Sequence, residues 1–462
     1  MLFFLFSRVW LSQARNIGQF FHLTDLHLDA NYSEFGDLTR WCHAFEDGRK
    51  GPNIGRFGNI NFDNIRIYCD SPWTLVHASL DGMRSVLPEP DFVFWTGDNL
   101  PHVPDSHYDS EEVLETMRNL TQMIIDTFPG VRIFPVLGNH DYWEASQFPG
   151  HSNRIYRESA VMWEEFIGYS PSMSEGGFYR TQIRPGLDVI GLNTNLYYYK
   201  NRLKLSDDPG GQFAWLESEL ALAEAEGRSV IIIGHIPPGS YERAVNISWF
   251  LPHYNEAFLR ILRRHHRPIQ HMFFGHNHID SFRVLTDDDG KALSSLLIAP
   301  SVCPGRSNNP SFRIVDYDRD TWEILDIHQY FVDLHSANQL GLVNWTLEYR
   351  FSQAYDLAGP LTPEFLSQLL DRLAASPPLL QRFHDFNSVQ LHRESCAAEC
   401  RRRLLCTLRH LDYPAYWRCL AQSAAEESKA QAATENFLSV GFIGLLCLLG
   451  AAALLGKRTL AL

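Results

Sequence analysis

Short apolar runs recur through the first two-thirds of the chain, and each ends in a small polar cluster. Gln19–Leu23, Asp91–Trp95, Val131–Val136, Ser229–Ile233 and His271–Phe274 are rich in β-branched or aromatic residues and lead into Gly or Asp turns. Runs of this length and composition predict strands buried on both faces. A further run, Asp188–Leu192, leads into Asn193. Helical periodicity fills the gaps. Residues 110 to 128 predict a helix opened by Asp109 and Glu112 as a capping box, with Leu114, Met117, Leu120 and Ile124 on its apolar face. Gln212 to Glu226 predict another, with Phe213, Leu216 and Leu220 on one side and Gly227 as its stop. After about residue 350 the strand pattern disappears. Thr362-Pro363-Glu364 opens a Leu-rich helix and Pro377-Pro378 ends it. The expected class is α/β, with a small helical C-terminal subdomain buttressing the rest.

The polar clusters after the strands carry the chemistry. They are Asp25-x-His27, Gly97-Asp98, Gly138-Asn139-His140-Asp141, Gly234-His235 and Gly275-His276-Asn277-His278. One such cluster alone reads as a turn former or a polar cap. Five in succession, all at strand C-termini where a sheet edge places ligands, point to one shared site. Imidazoles, carboxylates and an amide oxygen make a ligand set for two divalent metals that share a carboxylate. Such a set activates water and clamps a phosphoryl group.

In order and spacing, D-x-H, G-D, G-N-H-D, G-H and G-H-x-H resemble the calcineurin-like metallophosphoesterase superfamily. Cys69-Asp70-Ser71-Pro72-Trp73, Trp95-Thr96-Gly97-Asp98, Asn193-Thr194-Asn195-Leu196-Tyr197-Tyr198 and Phe274-Gly275-His276-Asn277-His278 narrow the likeness. They are similar to the acid sphingomyelinase-like phosphodiesterases, and most to the membrane-anchored member of that group. The resemblance spans about residues 18 to 425. It implies the metallophosphoesterase fold, two packed β-sheets flanked by helices. It also implies two Zn2+ ions, one held by Asp25, His27 and His278 and the other by Asn139, His235 and His276, with Asp98 bridging. A carboxylate is the natural bridge because it can present one oxygen to each ion. His102 and His140 are implied as general acid and oxyanion stabiliser, in an order left open. Asn193 and Tyr197 are implied to line the substrate pocket. His265 and His266, in a basic stretch, read instead as the exposed end of a helix.

Length and composition fit one large catalytic domain with an appendix. The 462 residues are 45% hydrophobic and 13% aromatic, enough for a sizeable core. A net charge of −14 and the lack of a basic stripe argue against a nucleic-acid polymer as partner. The expected organisation is a weak or incomplete signal segment over 1–17, the catalytic domain over 18–350, a disulfide-bonded helical subdomain over 351–425, and a linker with a hydrophobic anchor over 426–462.

Cysteines and sequons predict passage through the secretory pathway. Cys42, Cys69, Cys396, Cys400, Cys406 and Cys419 favour pairs 42–69, 396–400 and 406–419, although spacing leaves connectivity open. Cys303 is left over, and Cys447 lies in the apolar tail. N-glycans are expected at Asn31, Asn119, Asn246 and Asn344, each in an N-x-S/T sequon. Phe437 to Gly456 is an uncharged run of 20 residues. It reads as a lipid-anchor signal or as a single span stopped by Lys457-Arg458. The expected location is the extracellular face of the cell membrane, with a lysosomal or secreted form as the variant.

The expected substrate is a small phosphoester or phosphoanhydride of nucleotide or phosphocholine type. True acid sphingomyelinases carry a saposin-like lipid-presenting domain ahead of the catalytic unit, and Asp25 lies too early for one here. Rival expectations are a true sphingomyelin phosphodiesterase and a surface regulatory protein with a minor catalytic role. A vestigial site would have lost a ligand, and all seven are present.

Overall fold

The apolar runs form the centres of two six-stranded sheets. The computed structural model describes residues 15–60, 69–305 and 308–425. Most of the signal segment and the whole linker and anchor, with Cys447, lie outside the described residues. In chain order the first strands are β1 (Ile17–Leu23), β2 (Tyr32–Asp37), β3 (Phe92–Trp95), β4 (Arg132–Pro135), β5 (Tyr179–Arg184), β6 (Leu187–Gly191) and β7 (Ser229–Ile233). They are followed by β8 (Ile269–Phe274), β9 (Ser281–Thr286), β10 (Ala292–Ile298), β11 (Ser311–Asp318), β12 (Ile324–Phe331) and β13 (Thr346–Arg350).

One sheet runs β13-β12-β11-β1-β3-β4 and the other β5-β6-β7-β8-β10-β9, with β2 outside both. Within the first, β1, β3 and β4 are mutually parallel; within the second, β6, β7 and β8 are. Parallel strands need both faces covered, which is why these segments read as unbroken apolar runs. The sheets meet through aromatic rings. Phe20 stacks on Phe92 at 4.6 Å, and Phe20 and Phe94 meet Phe273 of the other sheet at 5.6 and 5.3 Å. Each ring taken out of water contributes about 1.5–3 kcal/mol.

The helix Ser110–Thr127 carries the capping box, with Asp109 accepting from the Glu111 and Glu112 amides and Glu112 accepting from the Asp109 amide. Gln212–Glu226 ends on left-handed Gly227. After β13 the chain is helical: Phe351–Tyr355, Pro363–Ala375, Pro377–Asn387, Ala398–Arg409 and a further helical stretch over 413–425. Leu366, Leu369, Leu370 and Leu373 are buried as the second of these helices packs on β9 and β10. Cys42–Cys69, Cys396–Cys400 and Cys406–Cys419 form disulfides, and Cys303 is a buried free thiol. Among the described residues no helix is long and apolar enough to cross a membrane.

Candidate metal centre

Every polar cluster lies where a parallel strand ends, so two sheets deliver their loops to one edge. Asp25 and His27 follow β1, Asp98 follows β3, Asn139 follows β4, His235 follows β7, and His276 and His278 follow β8. The loops are stitched by backbone bonds from Asp25 N to Gly97 O (2.9 Å), His27 N to Asp98 O (3.0 Å) and Gly275 N to His235 O (2.9 Å). Asp25, His27, Asp98, His276 and His278 have φ between 41° and 67°, the left-handed region that L residues avoid. Strain of this kind persists only where the surroundings over-determine it, and it gathers at functional sites. Glycines permit the close approach. A Cβ on Gly138 would lie 2.1 Å from Asp98 N, and one on Gly275 would lie 2.0 Å from Thr24 Oγ1.

Both carboxylates are tied at one oxygen and aimed with the other. Asp25 Oδ2 accepts from Thr24 Oγ1 (2.6 Å) and from His276 N (3.0 Å). Its Oδ1 is buried without a hydrogen-bond donor, 3.2 Å from His278 Nε2 and 3.7 Å from His27 Nε2. Asp98 Oδ1 accepts from His140 N (2.8 Å), while Oδ2 lies 3.4 Å from His27 Nε2 and 3.1 Å from His235 Nε2. The His140 amide occupies Oδ1, and the single oxygen Oδ2 faces both groups.

The imidazoles are set the same way. His27 Nδ1 donates to Leu100 O and His235 Nδ1 to Thr96 O, both at 2.7 Å, which leaves each Nε2 lone pair facing inward. His27 and His278 bring their Nε2 atoms to 3.1 Å, His276 Nδ1 lies 3.3 Å from His235 Nε2, and Asn139 Oδ1 lies 3.3 Å from the same nitrogen. Asn139 Nδ2 is engaged by Ser146 Oγ at 3.5 Å, so its carbonyl is the inward atom. Donor atoms of Asp25, His27 and Asp98 cluster within 4.8 Å of one another, as do those of Asp98, His235 and His276. Ligands about 2.0–2.1 Å from a tetrahedral ion stand roughly 3.3 Å apart. The donor set fits two metals sharing Asp98.

Protons compete for the same atoms. Burial would lower the His235 imidazole, but the Asp98 carboxylate beside it prevails and pushes it up to about 9. Burial would raise Asp98, yet the imidazoles of His235 and His140 hold it well below the usual carboxylate range. In chelated protein the raised His235 imidazole makes proton binding a source of folded-state stability. That stability is complete below pH 6.5 and is lost as pH rises through about 9. Metal needs the neutral imidazole, so its affinity moves the opposite way. Chelated protein is expected to lose thermal stability between pH 6.5 and 9, and metal-loaded protein to gain on it across that range. Calorimetry at stepped pH checks both; a flat midpoint without metal would exclude the pair.

Beside the donors stand two further histidines. The His102 ring stacks on His27 at 4.0 Å, and the His140 ring meets His102 at 4.6 Å. Asp70 accepts from His102 N and, at 2.8 Å, from its Nδ1, which fixes the ring and its tautomer. Cys303 Sγ donates to the same Asp70 oxygen at 3.1 Å. Asp141, buried in the next turn, accepts from the Gly138, Asp98 and Asn99 amides and pins the Asp98 and Asn139 loops together.

Sequence comparison bears on what this geometry serves. Residues 18–280 match the calcineurin-like phosphoesterase family, and residues 291–426 match the acid sphingomyelin phosphodiesterase C-terminal region. Acid sphingomyelinase-like phosphodiesterase 3b of Homo sapiens is 38% identical over 435 residues, 91% of this chain and 93% of that one. The chain belongs to the acid sphingomyelinase-like phosphodiesterases. It is therefore a phosphoric diester hydrolase of the calcineurin-like fold, a group of two-metal enzymes. Other members at this distance include the cyclic GMP-AMP phosphodiesterase SMPDL3A of Mus musculus, 36% identical over 89% of this chain and 93% of that one. Sphingomyelinase phosphodiesterase C of Dictyostelium discoideum is 29% identical over 91% of this chain and 98% of that one.

In this phosphodiesterase Asn193 and Tyr197 do not line an open pocket. Both are fully buried. Asn193 donates to Tyr156 Oη and Gly176 O, and Tyr197 stacks on Phe213 at 4.5 Å with Gln212 donating to its hydroxyl. The neighbouring Tyr198 reaches the site, with its ring 5.2 Å from His276, and Trp249 approaches the same imidazole at 4.4 Å. Adjacent residues here point in different directions, so Tyr198 rather than Tyr197 meets the His276 imidazole. His265 is likewise corrected: it is buried at the end of helix Pro252–Arg264 rather than exposed.

Proposed function

We propose that this phosphodiesterase is a binuclear zinc enzyme acting at the outer membrane surface on small nucleotide-type or phosphocholine-type phosphoesters or phosphoanhydrides. An influence on membrane lipid would be a secondary consequence. The observation that carries the reading is Asp98 Oδ2 between two imidazoles, with His102 and His140 on one side of the same cluster. All-nitrogen and oxygen donors rich in imidazole suit zinc. Asp25, His27 and His278 hold one ion, Asn139, His235 and His276 the other, and Asp98 both. The chemistry supplied by the bound pair is Lewis acidity towards the phosphoryl oxygens and a lowered pKa for water.

The chain's own groups do the rest. His102, fixed by Asp70, delivers a proton to the leaving oxygen as its bond to phosphorus breaks. His140, anchored through its amide to Asp98, donates a hydrogen bond to a non-bridging phosphoryl oxygen. Water adds to phosphorus and the products are an alcohol, or a second phosphate, and a phosphomonoester.

Tyr198 and Trp249 are buried behind the His276 imidazole, and the half-exposed Tyr199 packed on them offers a ring that suits a base by stacking or a choline by cation–π contact. Lys200 Nζ lies 5.9 Å from the Tyr198 and Tyr199 rings and adds positive charge there. It favours a nucleotide over a quaternary ammonium. The four sequon asparagines are all exposed, in keeping with N-glycans, and residues 426–462 would supply the lipid anchor or span. The test is a competition followed by phosphorus NMR, using the full chain in detergent with zinc. Sphingomyelin micelles, a choline-nucleotide diester and a nucleoside triphosphate are mixed. The nucleotide signals are expected to disappear first; preferential loss of sphingomyelin would instead make this a true sphingomyelin phosphodiesterase.

A further inference from the structure

The loop over residues 236–251 joins β7 to helix Pro252–Arg264 with only an isolated bridge within it, between Ser240 and Ser248, so its placement depends on what grips it. On one side it touches the metal-ligand loop after β8. Trp249 packs edge-on against His276, and Glu242 Oε2 accepts from Asn277 Nδ2 at 3.3 Å, between the two histidines. Glu242 is fully buried, and its charge is met by Arg283 Nη2 at 2.6 Å. A buried carboxylate demands such a partner, so the pair fixes both β9 and the loop.

On the other side the C-terminal helices grip the same loop. The Tyr413 hydroxyl accepts from Phe250 N (3.0 Å) and donates to Phe250 O (2.8 Å). Asn255 accepts from Gly239 N at 3.1 Å and passes the tie on to Leu411 O at 3.0 Å. Arg403 Nε donates to Glu242 O (2.8 Å) and Tyr416 Oη to Val245 O (3.3 Å). The Cys406–Cys419 disulfide fastens the helical stretch bearing Tyr413 and Tyr416 to helix Ala398–Arg409. A long irregular loop is ordinarily mobile. Here it is held by its own pairings (Tyr241 N to Ile247 O, Trp249 N to Gly239 O), by residues 194–199 (Ile236 N to Thr194 Oγ1, Tyr199 N to Trp249 O, Leu251 N to Tyr197 O), and by residues 403–416 with the Glu242 pair, which tie it to the C-terminal helices and to β9.

We propose that loop 236–251 is the lever through which the helical C-terminal region sets the His276 half of the metal site, with Tyr413, Glu242 and Asn277 as positioning residues. The inference rests on the two-metal reading above. It makes the C-terminal region part of the site's construction, beyond a buttress for the sheets. Partners one step outside the ligands typically govern about 10–100-fold in metal affinity.

The test uses the full chain as Tyr413→Phe, Asn277→Ala and Glu242→Gln. Zinc retained per chain is read against rising chelator, and hydrogen exchange over 236–251 and 274–279 is read in chelated protein. Tyr413→Phe and Asn277→Ala, neither of which leaves a buried charge, are expected to weaken retention of one zinc about tenfold or more and leave the other in place. Tyr413→Phe should also quicken exchange in both segments. Faster exchange over 236–251 with wild-type zinc retention in both variants would overturn the lever. Should Glu242→Gln fail to fold, the other two variants decide. A wild-type chain that retains no zinc would overturn the two-metal reading, and the inference with it.

Discussion

Asp98→Asn is expected to abolish turnover and to lower metal content at both positions. The substitution preserves shape, so the loss would come from charge and donor type alone. One oxygen of Asp98 is committed to the His140 amide, and an asparagine keeps that acceptor. Its NH2 group must then take the place of Oδ2, facing the inward Nε2 atoms of His27 and His235 at about the present 3.4 and 3.1 Å. There it donates hydrogen bonds to the lone pairs that metal requires. The site loses its shared anion and gains an internal substitute for the ions. The effect should exceed the ~10–100-fold cost of disturbing a partner outside the ligand set. Metal analysis of the dialysed protein, with rates on a bis-aryl phosphate, checks it. Near-normal zinc and rate would refute the bridge.

How far this centre could be read from the chain alone depends on how each part is encoded. Candidate ligands at strand ends were legible because β1, β3, β4, β7 and β8 are buried on both faces, so each run ends visibly where a polar loop begins. Capped helices such as Ser110–Thr127 were legible for the same local reason. Partnerships between distant segments were not. Asp70 stood in plain view within the Cys69–Trp73 motif, but only folding brings it to His102, 32 residues on. The bond from Tyr413 to Phe250 spans 163 residues and has no periodicity to announce it. Asp98 shows the remaining limit. Residue types single it out as the candidate shared carboxylate, but that Oδ1 accepts from the His140 amide while Oδ2 faces His27 and His235 depends on a backbone atom that side-chain chemistry does not reveal.

His102→Ala should cost roughly 10²–10⁴-fold in kcat while both metals stay bound, as loss of a positioned proton donor does. The ring also clusters with His27 and His278, but neither group that contains Asp98 includes it, and its removal leaves Asp25, His27 and Asp98 in place. Two histidines stand close enough to be confused, with rings 4.6 Å apart, so the substrate must separate them. A leaving group that departs as a stable anion needs no proton. With a p-nitrophenyl ester the His102→Ala deficit should shrink towards unity, whereas with an alkyl or nucleoside ester it should persist in full. His140→Ala should show the same deficit with both, since the non-bridging oxygens carry charge whatever leaves. Asp70→Asn is the intermediate case. It can keep an acceptor for His102 Nδ1 but removes the anion, and it should reproduce the leaving-group dependence of His102→Ala at smaller amplitude. If the dependence instead follows His140→Ala, the two roles are exchanged, and the Asp70 contact serves to shape the loop after β3 rather than to aim a proton.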